Sequence, residues 1–123
     1  ACPYSLNDPA VRAERFERAN YYSARMMAAG LLVFSPISQT HPIALAGDLP
    51  KGWDFWERYD RAYLGICRAL VVLCLPGWEQ SKGVQAEIKI MDDLKRPVWY
   101  IQNYNNDCLE QTITALGTRE ERG

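Results

Sequence analysis

The sequence has a single histidine and no long hydrophobic run, and these shortages exclude several classes of protein. The histidine is His41, and the four cysteines (Cys2, Cys67, Cys74 and Cys108) show no CxxC spacing, so the residues do not favour a metal centre. No apolar run approaches the roughly 20 residues that a membrane-spanning helix needs. No segment resembles a signal peptide, so we expect a cytoplasmic protein. We also expect that it uses no metal or other cofactor.

The sequence also lacks an excess of either charge. It has 14 Lys and Arg residues against 15 Asp and Glu residues, with no block of like charge. We therefore expect neither nucleic acid nor a membrane surface as a partner. The chain has 123 residues, of which 48% are hydrophobic and 24% charged. This composition is typical of a globular domain, and we expect residues 1–123 to form one domain.

Strand and helix patterns alternate along the chain. The patterns predict helices at 9–29, 53–68, 81–95 and 107–116, strands at 31–34, 69–75 and 98–101, and a long loop at 35–52. This order predicts a single-domain α/β fold, a flavodoxin- or Rossmann-like three-layer sandwich with a parallel sheet of about four to five strands. The segment ACPYS leads directly into the first helix, and we expect that the given chain begins inside a first strand.

Two of the predicted helices carry a carboxylate on the face that should be dry. At 100° per residue, Glu87 lies in one arc with Val84 and Met91, and Asp60 lies in one arc with Trp53. An ion pair or backbone hydrogen bonds would explain either carboxylate alone. Two of them, on helices that flank the central strand, favour a binding site beyond the carboxyl ends of the strands. A pair of carboxylates is also what cleavage of a glycosidic bond requires.

Three segments and one spaced motif resemble a known family. The segments are ACPYS at 1–5, SPISQTHPI at 35–43 and LPGWEQSKG at 75–83. Ser81, Gly83 and Glu87 form a Ser-x-Gly-x-x-x-Glu motif, and Asp60 precedes it on the previous helix. Together they resemble the nucleoside 2-deoxyribosyltransferase superfamily. Within it, the chain is similar to a little-characterised bacterial and phage branch, and to the 2′-deoxynucleoside 5′-monophosphate N-glycosidases.

The resemblance implies roles for four residues. Glu87 is the nucleophile that attacks C1′ of a 2-deoxyribose and forms a covalent intermediate. Asp60 either hydrogen-bonds to the sugar or protonates the departing base. Tyr4 is a candidate for the family's first-strand tyrosine, although it follows the Cys-Pro pair instead of preceding it. Ser81 either binds a 5′-phosphate together with the start of its helix or is a plain helix cap.

The other candidate residues lie in the same motifs or on the predicted helices. The remaining candidate substrate-binding residues are Pro3, Ser35, His41, Trp78 and Gly83. Trp53 and Trp56, with Trp78, either form an aromatic floor for a base or are ordinary core residues. Arg12 and Arg15 either face a phosphate or are solvated. A nucleophilic pair of His41 with a cysteine is a further alternative.

Two functions from different classes follow from these motifs. The first is an enzyme that cleaves the N-glycosidic bond of a nucleoside or nucleotide, or transfers its 2-deoxyribosyl group. The second is a non-catalytic module that binds or senses a nucleotide on the same fold. A binding module has no use for a nucleophile on a dry helix face, so we favour the enzyme. The resemblance also implies a homodimer or homotetramer.

Overall fold

Five helices and two strands make up the part of the chain that is described. The computed structural model describes residues 1–4, 8–50, 52–102 and 106–122, so that Ser5 and Lys51, which belong to predicted segments, lie outside it. The elements are α1 (Pro9–Ala28), α2 (Pro36–Gly47), α3 (Trp53–Leu64), β1 (Leu70–Cys74), α4 (Lys82–Asp93), β2 (Val98–Gln102) and α5 (Asn106–Arg122), with a short 3₁₀ helix at Trp78–Gln80.

The sheet is much smaller than the sequence predicts. β1 and β2 run parallel, in a register that pairs Leu70 with Val98 and Cys74 with Gln102, and α4 connects them. Within the described ranges these are the two strands of the sheet. The predicted three-layer sandwich with four to five strands is therefore wrong. The described part of the chain is mostly helical, and its sheet is formed by the two strands of one β-α-β unit.

Segment 31–34 explains much of this difference. Its apolar run predicts a strand buried on both faces, but Leu32 is 94% exposed and no described strand pairs with the segment. Ala1 lies on the edge of β1 away from β2. Its nitrogen donates to the Val71 carbonyl (2.6 Å), and its carbonyl accepts from the Leu73 nitrogen (2.8 Å). In segment 31–34 the apolar run therefore predicts neither burial on both faces nor strand pairing correctly, because both depend on residues far away in the chain.

The predicted loop at 35–52 is also wrong, because most of it forms α2. Ser35 caps this helix by accepting a hydrogen bond from the Ser38 nitrogen, and Pro36 occupies its first turn. The same arrangement of cap and proline begins α1, where the prediction is confirmed. Pro42 argues against a helix at this place, since it lacks an N–H, but α2 continues through it.

The other predicted elements differ from the structure mainly at their ends. The strands at 70–74 and 98–102 and the helix at 82–93 are confirmed. The helix predicted at 53–68 ends at Leu64, where Arg96 Nη1 donates to the carbonyls of Leu64, Gly65 and Cys67. The last helix is longer than predicted and extends to Arg122. None of the helices that the structure describes has the length and hydropathy needed to cross a bilayer.

Helices pack on both faces of β1. Leu73 points into one hydrophobic cluster with α1, α2 and α5, and Val72 points into a second cluster with α3 and α4. Alternate side chains of a strand point to opposite faces, which is why neighbouring residues of β1 enter different clusters. The second cluster sets α3 against α4 and thereby places the two helices that carry Asp60 and Glu87 side by side.

Candidate functional site

A large cavity brings most of the predicted site residues together. Six of them line it: Tyr4, Ser35, Asp60, Ser81, Gly83 and Glu87. The cavity volume is about 1130 Å³. Ligand sites in proteins usually have volumes of roughly 300–1,000 Å³, so this space is large enough for a nucleotide. Most of the other lining residues are apolar.

Glu87 lies in the second turn of α4 and points into this cavity. Its helix buries one face, formed by Val84, Glu87, Ile90 and Met91. Glu87 is 6% exposed, and its Oε2 atom has no hydrogen-bond partner among the described residues. Burial raises the pKa of Glu87 from 4.5 to about 7. Neither an ion pair nor a capping role therefore explains why a carboxylate occupies this face.

Asp60 has the same character on α3. It is 7% exposed, and its Oδ1 atom also has no hydrogen-bond partner in the described part of the chain. Burial raises the pKa of Asp60 from 3.8 to about 6. The charge of Asp60 adds to the effect of burial on the pKa of Glu87. Both carboxyl groups therefore keep their protons to a higher pH than exposed carboxyl groups do.

The start of α4 supplies further groups. Ser81 caps this helix by accepting from the Val84 nitrogen at 3.3 Å, so the predicted cap is confirmed. Gly83 packs against Trp53, since a Cβ atom at Gly83 would lie 3.6 Å from Trp53 Cε3. Trp53 and Trp56 both line the cavity, and Trp56 Nε1 donates to the Pro50 carbonyl at 2.7 Å. Two aromatic rings thus lie in the same cavity as the carboxyl groups.

Tyr4 and His41 are linked directly. The Tyr4 hydroxyl is hydrogen-bonded to His41 Nδ1. His41 is 7% exposed and stacks on Phe16, with ring centroids 4.5 Å apart. Tyr4 belongs to the cavity lining, whereas the described lining does not include His41. The histidine that the motif predicts as a substrate-binding residue therefore lies behind a residue of the cavity.

Three other candidates, Trp78, Pro3 and Arg15, lie outside the described lining as well. Trp78 packs on Tyr100, with ring centroids 5.6 Å apart. Pro3 is buried and does not line the cavity. Arg15 is buried too, and its Nη2 atom donates to the Pro76 carbonyl at 2.9 Å, which anchors α1 at the end of β1. The structure does not bring Trp78, Pro3 or Arg15 to the carboxyl groups.

Some polar lining residues were not found from the sequence. Ser23 of α1 and Thr40 of α2 belong to the cavity wall, as does Cys2. Thr40 lies in the segment predicted as a loop, and a loop prediction assigns its residues to no helix face. The Ser35-Pro36 pair is the signal that would have placed Thr40 on a helix.

The sequence can be compared with known protein families. Residues 1–103 match the family described as a domain of unknown function, DUF1937. The chain belongs to this family. A comparison with curated proteins finds no match. The family description states no activity, so a functional conclusion depends on the cavity and on the chemistry of its side chains.

Proposed function

We propose that this chain cleaves the N-glycosidic bond of a 2′-deoxynucleoside or of its 5′-monophosphate. One observation carries the proposal: two buried carboxyl groups share the wall of one cavity, and neither Asp60 Oδ1 nor Glu87 Oε2 has a hydrogen-bond partner among the described residues. Burying such groups without partners costs free energy, which favours a functional reason for their presence, and glycosidic cleavage uses a pair of carboxyl groups. The resemblance to the nucleoside 2-deoxyribosyltransferase superfamily assigns the same two residues.

Glu87 is the nucleophile in this proposal. A carboxylate oxygen of Glu87 forms a bond to C1′ while the bond from C1′ to the base nitrogen breaks. The base leaves with the electron pair of that bond and takes up a proton. Water then attacks C1′, loses a proton and releases the sugar and the Glu87 carboxylate; a second base in place of water gives transfer of the 2-deoxyribosyl group.

The raised pKa values bear on the roles of both carboxyl groups. Glu87 must lose its proton to act as a nucleophile, which happens as the pH rises through about 7. Burial also raises the pKa of Asp60, to about 6. This suits either of its two roles, as an acceptor for a sugar hydroxyl or as a proton donor to the departing base.

The surroundings of the carboxyl groups fit the other parts of a nucleotide. Trp53 and Trp56 offer aromatic faces to a base. The N-terminus of α4, with Ser81 as its cap, suits an anion because backbone N–H groups and the helix dipole favour negative charge there. We place the 5′-phosphate at this helix start. The proposal includes a cytoplasmic location and a homodimer or homotetramer. Light scattering on the purified protein tests the oligomeric state.

The direct test is the release of free base from a panel of 2′-deoxynucleosides and their 5′-monophosphates, followed by chromatography. We expect the wild type to release base. Glu87→Gln lowers the rate by more than about a thousandfold because it lacks the nucleophile. Asp60→Asn lowers it by about 10- to 100-fold if Asp60 accepts from the sugar, because one hydrogen bond to a charged group is lost, and by more than about a hundredfold if Asp60 donates the proton to the base. An added acceptor base distinguishes transfer from hydrolysis.

Asp93→Asn is the matched control, since Asp93 lies on the same helix, is exposed and pairs with Lys89. Its rate of base release should equal that of the wild type. The value of kcat/KM should rise with pH through about 7, as Glu87 ionises. If a folded wild type releases no base but is stabilised by a panel member, the protein is the non-catalytic nucleotide-binding module instead.

A further inference from the structure

Tyr4, a polar residue of the cavity wall, is hydrogen-bonded to His41, which lies outside the described lining. Tyr4 lines the cavity, and its hydroxyl is hydrogen-bonded to Nδ1 of His41. His41 lies on α2 and stacks on Phe16 of α1 at an interplanar angle of 26°. The imidazole is thus fixed by packing between two helices, and Tyr4 is the side chain through which it is linked to the cavity.

The direction of this hydrogen bond follows from the charge of the imidazole. Burial, together with the positive charge of Arg12, lowers the pKa of His41 below its ordinary value of 6.5, so the ring is neutral at pH 7. Burial raises the pKa of Tyr4, so the phenol keeps its proton. A neutral imidazole has one acceptor nitrogen, which is a stronger base than a phenol oxygen. The Tyr4 O–H therefore donates to Nδ1, and the imidazole proton lies on Nε2.

We propose that His41 and Tyr4 form a positioning pair for the ligand of this cavity. His41 accepts the only proton of the Tyr4 hydroxyl, and the Tyr4 oxygen is left as a fixed acceptor for an O–H or N–H group of the bound molecule. The identity of that molecule as a nucleoside or nucleotide rests on the proposed function. A dianionic phosphate has no proton to donate and does not bind at Tyr4. The Tyr4 partner is a sugar hydroxyl or an amino group of the base.

The pair is open to direct measurement because the sequence contains one histidine. Nitrogen-15 NMR of the imidazole reports both its tautomer and its pKa. We expect the proton on Nε2 in the wild type. Tyr4→Phe removes the donor that stabilises the neutral ring, so it should raise the pKa of His41. A proton on Nδ1, or a pKa of His41 that Tyr4→Phe leaves unchanged, overturns the pair.

Ligand binding tests the second half of the proposal. The probe is 2′-deoxyadenosine 5′-monophosphate, measured by calorimetry in a Glu87→Gln background that prevents turnover. Tyr4→Phe and His41→Phe should each weaken binding by about tenfold, the effect of one lost hydrogen bond. The double variant should bind no more weakly than either single variant, since the two residues act as a unit. His41→Asn offers an amide oxygen as an acceptor and should recover most of the affinity.

Tyr21→Phe is the control for the loss of a tyrosine hydroxyl. Tyr21 lies on α1, outside the described lining, and its hydroxyl accepts from Arg25. Its affinity for the probe should equal that of the background. Two altered probes identify the partner of Tyr4: a 3′-deoxy analogue lacks the sugar hydroxyl, and a hypoxanthine analogue lacks the base amino group. The probe without the contacting group should bind equally to Tyr4 and to Tyr4→Phe proteins.

The outcomes separate this inference from the proposed function. Probe binding without base release by the wild type contradicts the enzyme and leaves the pair intact. Base release with an unchanged KM in folded Tyr4→Phe contradicts the pair and leaves the enzyme intact. Additive losses in the double variant also contradict the pair, and a panel that shows no binding contradicts both. Thermal unfolding confirms that each variant is folded, and Tyr4→Phe decides the question if His41→Phe does not fold.

Discussion

The cavity has two sides that differ in whether their polar groups have hydrogen-bond partners within the protein. On the carboxylate side, formed by α3 and α4, Asp60 Oδ1 and Glu87 Oε2 are buried without hydrogen-bond partners among the described residues. On the hydroxyl side, formed by residues 1–4 and α2, Tyr4 is paired with His41, and Ser35 accepts from the nitrogen and the hydroxyl of Ser38. The polar groups of the hydroxyl side thus have partners within the protein, although the Tyr4 oxygen can still accept from a ligand, whereas the two carboxyl oxygens of the carboxylate side have none among the described residues.

This difference predicts opposite signs for substitutions on the two sides. Removal of an unpaired buried charge stabilises the folded protein and removes function. Removal of a hydrogen-bonded group destabilises the folded protein because its partner is left unpaired. The largest effect is therefore expected for Glu87 on the carboxylate side.

Glu87→Gln should stabilise the protein at high pH. The folded pKa of Glu87 is about 7 and its ordinary value is 4.5, so between these values the folded protein holds a proton that the unfolded chain has lost. Wild-type stability therefore falls as the pH rises through this window, by roughly 3 kcal/mol for this group. Urea unfolding at pH 4 and pH 8 should show a variant that is more stable than the wild type at pH 8 alone.

The control for this prediction is again Asp93→Asn, on the exposed side of α4. It should leave the free energy of unfolding close to the wild-type value at both pH values. A Glu87→Gln protein that is less stable than the wild type at pH 8 would mean that the carboxylate is paired, and the contrast between the two sides would be lost.

The two capping serines test the contrast with a smaller effect. Ser35→Ala and Ser81→Ala should each lower the free energy of unfolding by about 1 kcal/mol, because each removes a helix cap. Asn also caps helices, so Ser35→Asn and Ser81→Asn should restore stability. Calorimetry with a 2′-deoxynucleoside 5′-monophosphate then separates capping from ligand contact. Affinity should be reduced in Ser81→Asn and retained in Ser35→Asn, whose native oxygen already accepts from two donors.

Gly83→Ala gives the smallest expected change in stability. A Cβ atom at Gly83 would make an ordinary contact with Trp53 at 3.6 Å. Alanine is favoured over glycine in helices, so the free energy of unfolding should stay unchanged or rise by up to about 1 kcal/mol. The added methyl group narrows the cavity beside Trp53, so affinity for the nucleotide should fall. A loss of stability together with unchanged affinity would show that Gly83 is needed for helix packing alone.

The parts of this arrangement that the sequence predicts are local ones. The position of Glu87 on the buried face of α4 follows from the spacing of Val84 and Met91, and the start of α1 follows from Asp8 and Pro9. Ser35 and Pro36 signal the start of α2 in the same way, but the segment also contains Pro42, which is unfavourable inside a helix. The extent of the sheet and the contact of Tyr4 with His41 depend on residues far apart in the chain. No local pattern predicts such contacts.

The measurement that tests the central claim most directly is the pKa of Glu87 itself. Carbon-13 NMR of the side-chain carboxyl groups follows their ionisation, and the signal that Glu87→Gln lacks identifies Glu87. The account predicts a midpoint of about 7, because the carboxyl group is buried without a partner for Oε2. A midpoint near the ordinary 4.5 would show that the group is solvated or paired. It would contradict the claim that Glu87 is buried without a partner and is available to a ligand.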